Sequence, residues 1–299
     1  MPSNVNSTRL TPPSGDLRLR LRDHLRLARI SNSPTVVSNT LAGAAIAATL
    51  SFSSELVYVA IAMVLFYTAG MYLNDILDYD IDLRQRAERP LPTGAIARSE
   101  AWAVTVVLFL IGLLLLGLAG IRPMLAGVVL IGAIALYDAW HKGNPAGPFL
   151  MGITRVLVYV TAFLAFTSEI TWLLAIWSAV MLFYIAGLTS IAKTEHGPSL
   201  ARYWPIVALF PATGVAMIDG PSVLTAVIAL AFNTWIIYSL TFVYRKEGKS
   251  IGGAIGRLIA GVALLDALVL ASRDETAGVV IAVVCFGLTI FLQRYVRGT

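Results

Sequence analysis

This sequence has few charged residues and almost no cysteine. Only 13% of its 299 residues are charged and 58% are hydrophobic, whereas about 25% of the residues of a soluble domain are charged. Together with a mean hydropathy of +0.78, this composition indicates a multi-pass membrane protein. The single cysteine, Cys285, excludes an intrachain disulfide and a cysteine-based metal site.

The sequence also lacks the pattern of a nucleic-acid-binding protein, although its net charge is +5. Such a protein carries basic residues interleaved with aromatic residues on one soluble face. Here the basic residues lie between apolar segments, where they determine membrane topology. We therefore expect the lipid bilayer as a partner, and no nucleic acid.

Apolar runs of membrane length occupy most of the chain. They cover residues 33–52, 55–78, 99–118, 123–140, 148–167, 171–192, 203–218, 221–243, 252–271 and 276–293. The ninth run contains Arg257 and Asp266, which favours a bent or re-entrant segment. Asp266 is expected to pair with Arg257 or to lie near the outer interface. The predicted fold is all-α, a polytopic membrane bundle of nine to ten transmembrane helices.

The apolar runs follow a basic arm, residues 1–30. The remainder, residues 31–299, is predicted to form a single transmembrane domain, because the short connections leave no room for another. Residues 17–30 alternate leucine with arginine, which predicts an amphipathic segment on the inner leaflet. Placing the arm in the cytoplasm puts most of the 22 basic residues on that side, as the positive-inside rule requires. Both termini are therefore predicted to be cytoplasmic.

One polar stretch, residues 74–94, follows directly on an apolar run that has no formal charge. On a helix that turns about 100° per residue, four oxygen-bearing side chains share one face: Asn74, Asp75, Asp78 and Asp82. Asp80 points away from them. Carboxylates stacked in this way are destabilising unless a positive charge lies among them.

Cations are available for this acidic face. Carboxylates at this spacing suit Mg²⁺, which takes one or two of them and shares its other positions with substrate phosphates. Arg84, Arg86 and Arg89 come next, followed by a Pro-Leu-Pro-Thr-Gly turn at 90–94 that cannot continue a helix. The stretch therefore predicts a magnesium-diphosphate site. The competing interpretation is a solvated helix end followed by a basic cytoplasmic loop.

The pattern Asn74-Asp75-x-x-Asp78-x-x-x-Asp82, with Arg89-Pro-Leu-Pro-Thr-Gly after it, resembles the first aspartate-rich motif of the UbiA superfamily of intramembrane prenyltransferases. The resemblance implies helices around a central cavity and Mg²⁺-dependent transfer from a prenyl diphosphate to an aromatic or lipid acceptor. The three aspartates would be catalytic metal ligands. Asn74 would add an oxygen ligand or a hydrogen bond, and Arg89 would neutralise the departing diphosphate.

The resemblance extends to two later polar segments. It implies that Tyr137 and Lys142, at the end of the fourth run, face the diphosphate. Where the family has a second aspartate-rich motif, this chain offers only Glu195, with Lys193 nearby to bind the diphosphate. Either Glu195 holds a second Mg²⁺, or Asp138 substitutes for it, or the chain binds a single metal ion.

Arg155 lies about two turns into the fifth run, roughly 10 Å from its start. A charged residue at that depth faces protein or a water-filled cavity rather than lipid, unless it snorkels to the surface. We expect it to bind substrate, with a diphosphate or Asp138 as its partner.

The spacing in Tyr-Asp-Ala-Trp-His-Lys (137–142) and Ala-Lys-Thr-Glu-His (192–196) is similar to that of the divergent EboC-like subgroup. The reduced second motif leaves an alternative open. Under that alternative the protein is catalytically degenerate and binds or moves a prenylated lipid or pigment.

Overall fold

The computed structural model describes residues 17–195, 203–218, 222–245 and 250–296. These residues form helices and connecting turns, with no strand among them, which confirms the all-α prediction. In chain order the helices are α1 (Leu17–Leu27), α2 (Ser33–Ala47), α3 (Ser54–Leu77), α4 (Tyr79–Gln85), α5 (Arg98–Ala119), α6 (Ile121–Trp140), α7 (Gly147–Leu164), α8 (Trp172–Ala192), α9 (Trp204–Val207), α10 (Pro211–Ala216), α11 (Val223–Tyr244), α12 (Ile251–Ser272) and α13 (Thr276–Leu292).

Within the described ranges, 7 helices are long and apolar enough to cross a membrane, namely α3, α5, α6, α7, α8, α11 and α12. The first and last predicted spans form shorter apolar helices, α2 with 15 residues and α13 with 17. The predicted count of nine to ten spans is therefore not confirmed, although every predicted span coincides with helical structure.

The seventh predicted span is broken. Its helix ends at Val207 and a second short helix begins at Pro211. Proline has no backbone N–H, and its ring clashes with the carbonyl group four residues earlier, which here belongs to Val207. A single straight helix across this segment is therefore excluded.

The ninth predicted span, by contrast, is the continuous helix α12 at the centre of the bundle. It packs against α2, α8, α11 and α13, and 83% of its most apolar window is buried. The predicted pairing of Arg257 with Asp266 is wrong, because residues nine positions apart lie on opposite sides of a helix. Arg257 donates instead to the carbonyl oxygen of Gly253 at 2.7 Å.

The amphipathic helix α1 is docked on one end of the bundle. The imidazole of His24 lies 2.7 Å from the hydroxyl group of Tyr72 on α3, and Arg20 donates to Glu100 on α5 at 2.8 Å. Leu17 and Leu21 remain 80% and 57% exposed. This outward apolar face is the one that an interfacial helix presents to lipid. From α1 the chain turns at Arg29 into a short 3-10 helix, Ile30–Asn32, and then into α2.

Candidate functional site

The four oxygen-bearing side chains of the aspartate motif lie on one buried face. Asp78 joins α3 to α4 with near-helical backbone angles, φ −85° and ψ −2°, so the helical spacing continues through the junction. The buried members of the motif are Asn74, Asp75, Asp78 and Asp82. Asp80 is exposed on the other side. The helical geometry therefore places each side chain where the sequence pattern predicts it.

Arg89 bridges two of these carboxylates. Its Nη1 atom donates to Oδ1 of Asp75 at 3.2 Å and to Oδ2 of Asp82 at 2.7 Å. The proline-rich turn holds Arg89 in place, because the backbone N–H of Thr93 donates to its carbonyl oxygen at 3.0 Å. One positive group thus bridges two buried carboxylates and reduces the repulsion between them.

Lys142 neutralises the third carboxylate, with its Nζ atom 2.5 Å from Oδ1 of Asp78. Both residues line an open cleft of about 660 Å³, together with Asp82 and Lys193. Lys193 donates to the carbonyl oxygen of Asn144 at 2.9 Å, and partial burial lowers its pKa. The structure therefore brings Asp78 and Asp82 of the motif to one cleft with Lys142 and Lys193.

Arg29 also belongs to this site, and the sequence analysis did not single it out from the other arginines of the arm. Its Nη2 atom donates to Asp75 at 3.0 Å and to Asn74 at 3.3 Å. Burial opposes the charge on Arg29, but Asp75 and neighbouring acidic groups more than offset this effect, so its pKa is raised. In the sequence, its position directly before the first apolar run is the feature that distinguishes Arg29 from the other arginines of the arm.

The backbone at Arg29 is left-handed, with φ 42° and ψ 47°. Positive φ is uncommon for residues other than glycine and is maintained only where the surrounding structure requires it. Here the hydroxyl group of Tyr67 donates to the carbonyl oxygen of Arg29 at 3.1 Å, and the guanidinium group is held by the aspartate motif. The turn therefore directs the last arginine of the arm into the site.

A second, apolar cavity of about 60 Å³ lies beside the aspartate motif. Asp138 lines it and connects the two regions, because the amide nitrogen of Asn74 donates to Oδ1 of Asp138 at 3.1 Å. The other oxygen, Oδ2, is buried and has no hydrogen-bond partner in the described part of the chain. Tyr137 also lines this cavity and stacks on His141 with ring centres 4.6 Å apart.

Arg155 does not contact the carboxylates of the aspartate motif. It is buried and lines the apolar cavity. Its Nη1 atom donates to Oδ1 of Asn39 at 2.8 Å, so its partner is an amide of α2 rather than Asp138. Asn39 could not be identified from the sequence, because α2 carries four other polar residues and no spacing distinguishes Asn39 from them.

The predicted second metal ligand, Glu195, can be placed only in part. α8 ends at Ala192 and a 3-10 turn covers Lys193–Glu195, but the side chain of Glu195 lies outside the described residues. Among the side chains that are described, no group of three or more His, Cys, Asp or Glu converges as a metal site. A metal ion at the motif would therefore be held by one or two carboxylates and by substrate oxygens.

The fold and the site define a multi-pass integral membrane protein with a buried, charge-compensated carboxylate cluster beside an apolar cavity. The model of the UbiA prenyltransferase family matches residues 36–252. The chain belongs to this family, which confirms the resemblance found in the motif. The EboC-like assignment remains a prediction.

Two curated relatives carry the name digeranylgeranylglyceryl phosphate synthase. The protein from Sulfolobus acidocaldarius is 31% identical over 143 residues, covering 46% of this chain and 51% of the relative. The protein from Saccharolobus solfataricus is 31% identical over 189 residues, covering 60% and 63%. The chain thus spans between about half and just under two thirds of the length of these relatives.

A solved structure of a UbiA homolog from Archaeoglobus fulgidus bound to GPP and Mg²⁺ has a similar fold. The TM-score is 0.63 at 15% sequence identity, and the match covers 86% of this chain and 99% of that one. At this identity the likeness shows the fold alone.

Proposed function

We propose that this protein transfers a prenyl group from a prenyl diphosphate to an aromatic or lipid acceptor in the membrane, with Mg²⁺. The observation that carries the proposal is the buried face formed by Asp75, Asp78 and Asp82, with cationic side chains around it. Family membership supports it, as does the match to relatives named digeranylgeranylglyceryl phosphate synthase.

The residues present fit a magnesium ion. Arg89 already places one cationic atom between Asp75 and Asp82, at 3.2 and 2.7 Å, so these two carboxylates can share a positive charge. Carboxylate oxygens are the ligands that Mg²⁺ prefers, usually one or two per ion. One or two of the carboxylates Asp75, Asp78 and Asp82 would hold it together with substrate oxygens, with Glu195 as the candidate for a second site. When bound, the ion supplies a Lewis acid that stabilises negative charge on the diphosphate.

The chain itself supplies further positive charge for the leaving group. Arg29 and Arg89 contact the aspartate motif, and Lys142 and Lys193 line the cleft beside it. Donors fixed in advance around a developing charge stabilise it without reorganisation. As the bond between the allylic carbon and the diphosphate oxygen breaks, the electron pair leaves with the diphosphate. The acceptor then supplies the electron pair of the new bond to the allylic carbon and releases the proton of its attacking oxygen or ring carbon to solvent or to the diphosphate.

The apolar cavity, at about 60 Å³, is too small for a whole prenyl chain and would take only the substrate atoms nearest the aspartate motif. Phe66, Met63 and Leu130 are among its lining residues, and apolar surface of this kind binds in proportion to the area removed from solvent. The hydrogen bond between Asn74 and Asp138 lies at its boundary with the carboxylate cluster. A prenyl diphosphate would therefore place its head among the cations and only the first carbons of its chain against the cavity.

The test uses purified protein in lipid bilayers, labelled prenyl diphosphates of several chain lengths, and Mg²⁺. Binding and diphosphate release are measured separately, with and without lipid extracts as a source of acceptor. We expect Mg²⁺-dependent binding and acceptor-dependent release. Absence of both, in a protein shown to be folded, would overturn the proposal.

One observation favours a second candidate, a non-enzymatic protein that binds or moves a prenylated lipid or pigment. The segment 190–197 has a single carboxylate, Glu195, where the family has an aspartate pair. The same assay separates the candidates, because Mg²⁺-dependent binding without release under any acceptor condition would favour the binding protein.

A further inference from the structure

Two charged side chains lie deep among the apolar helices, apart from the carboxylate cluster. Asp266 of α12 is fully buried, and Arg155 of α7 is only 8% exposed. Charged residues inside membrane helices are costly and usually serve a function. Neither residue takes part in the contacts around the aspartate motif.

Asp266 is satisfied entirely by uncharged donors. Its Oδ2 atom accepts from the hydroxyl group of Ser38 at 2.5 Å and from the amide of Asn39 at 2.7 Å. Its Oδ1 atom accepts from the same amide at 2.9 Å and from the hydroxyl group of Tyr159 at 2.6 Å. Every strong contact of this carboxylate therefore comes from α2 or α7, and none from a cation.

Asn39 separates Asp266 from Arg155. A carboxylate only accepts hydrogen bonds and a guanidinium group only donates them. The amide of Asn39 must therefore present its nitrogen to Asp266 and its oxygen to Arg155, whose Nη1 atom lies 2.8 Å away. The two charges balance each other in the core without direct contact.

The remaining surface of Arg155 faces the apolar cavity. The guanidinium group lies over the ring of Tyr67, with 5.8 Å from its central carbon to the ring centre, and Arg155 lines the cavity with Thr154. A guanidinium group has five N–H donors, and Asn39 takes one of them. Within the described chain, no carboxylate lies at ion-pair distance from it.

We propose that Arg155 is a preformed site for the anionic head group of the acceptor, a carboxylate or phosphate attached to an apolar body, and that Asp266 is its counter-charge. This inference rests on the proposed transfer to an acceptor. The diphosphate has its own cations, Arg29 and Arg89 at the aspartate motif and Lys142 in the cleft. Arg155 is the one cation among the described residues that line the cavity, which the carboxylate of Asp138 also lines. Tyr67 and Asn39 fix Arg155 from two sides, so little ordering is needed on binding.

The test measures binding of small probes to the full-length protein in bilayers, without Mg²⁺ or prenyl diphosphate. Benzoate and phenyl phosphate provide the two anionic heads, and benzamide is a neutral probe of the same shape as benzoate. We expect one of the anions to bind about ten-fold or more tightly than benzamide, as a charged hydrogen bond implies. The tighter anion identifies the head group. Equal binding of all three probes would overturn the proposal.

Three variants locate the site. Arg155→Gln should abolish the preference for the anion, and Asp266→Asn should increase it, because the guanidinium group loses its counter-charge. Arg257→Gln removes another intramembrane arginine that does not line the cavity, and should leave the preference unchanged. Thermal unfolding shows which variants are folded.

A preference that survives Arg155→Gln would overturn the assignment of the site. Loss of affinity for benzoate and benzamide alike in Asp266→Asn would assign Asp266 to packing and overturn its role as counter-charge. Failure of the proposed prenyl transfer would give a different result. The wild-type protein would then neither bind a prenyl diphosphate nor release diphosphate, but it would still bind the probes.

Discussion

Arg29 and Asp75 form an ion pair at 3.0 Å although 46 residues separate them in the sequence. The contact joins the end of the amino-terminal arm to the first carboxylate of the aspartate motif. Arg29 thus shares Asp75 with Arg89, and the arm is part of the site rather than only a topology signal.

Arg29→Ala should weaken Mg²⁺-dependent prenyl diphosphate binding by about ten-fold, the effect of losing one charged contact. Because the pKa of Arg29 is raised, the stabilisation that its positive charge provides is fully present below its unfolded-state pKa. This stabilisation is lost only as the pH rises through the higher folded-state pKa. The effect should therefore not vary across the accessible pH range. Arg26→Ala is the control, since Arg26 is 45% exposed and pairs only weakly with Asp23 at 3.8 Å. Equal losses in both variants would show a general effect of arm charge.

The segment around Glu195, where the family has its second aspartate-rich motif, gives another prediction. If Glu195 is the remaining ligand there, Glu195→Gln should weaken diphosphate affinity and raise the Mg²⁺ requirement, while Asp138→Asn should do less. Titration of Mg²⁺ at fixed prenyl diphosphate measures both quantities. The reverse order would move the second site to segment 137–142, and no effect from either variant would indicate a single metal ion.

Helix packing behind the apolar cavity depends on Gly43 of α2. A Cβ atom there would lie 2.6 Å from the carbonyl oxygen of Tyr159 on α7, so Gly43→Ala must push the helices apart. We expect a loss of about 1–3 kcal/mol, seen as a lower midpoint of thermal unfolding. Gly132→Ala of α6 meets nothing within 4 Å and should not lower the midpoint. An unchanged midpoint for Gly43→Ala would contradict the close approach of α2 to the backbone of Tyr159.

Membrane orientation is a further prediction, with both termini and the aspartate motif in the cytoplasm. Reporters fused to the two termini test it directly. A single cysteine at the exposed position of Asp80, in a Cys285→Ala background, should react with impermeant reagents from the cytoplasmic side only. A carboxyl-terminal reporter on the opposite side would refute the cytoplasmic placement of both termini.

The aspartate motif was predictable because helical periodicity alone determines which side chains share a face. The same reasoning placed Asp80 outside the cluster, as the structure does. Contacts such as Arg29 with Asp75, or Asn39 with Asp266, were not predictable, because they depend on how distant helices pack. The predicted pairing of Arg257 with Asp266 was wrong for a local reason, because side chains nine positions apart point in opposite directions from a helix.

Breaks in the helices were also only partly predictable. Charged residues in the ninth run suggested a bend, but Asp266 is satisfied by neighbouring helices and α12 continues through it. The break lies instead in the seventh run at Pro211, which has no backbone N–H and whose ring clashes with the carbonyl group of Val207. Proline was therefore the more reliable signal for a break than charge.

Mg²⁺-dependent binding of a labelled prenyl diphosphate to Asp78→Ala and Asp80→Ala tests the central claim most directly. The two variants lose the same charge two residues apart, but Asp78 is buried beside Lys142 whereas Asp80 is exposed. We predict that Asp78→Ala loses Mg²⁺-dependent binding while remaining folded in the membrane, and that Asp80→Ala binds as the wild-type protein does. Equal damage from both substitutions, or unchanged binding in Asp78→Ala, would contradict a diphosphate site on this face.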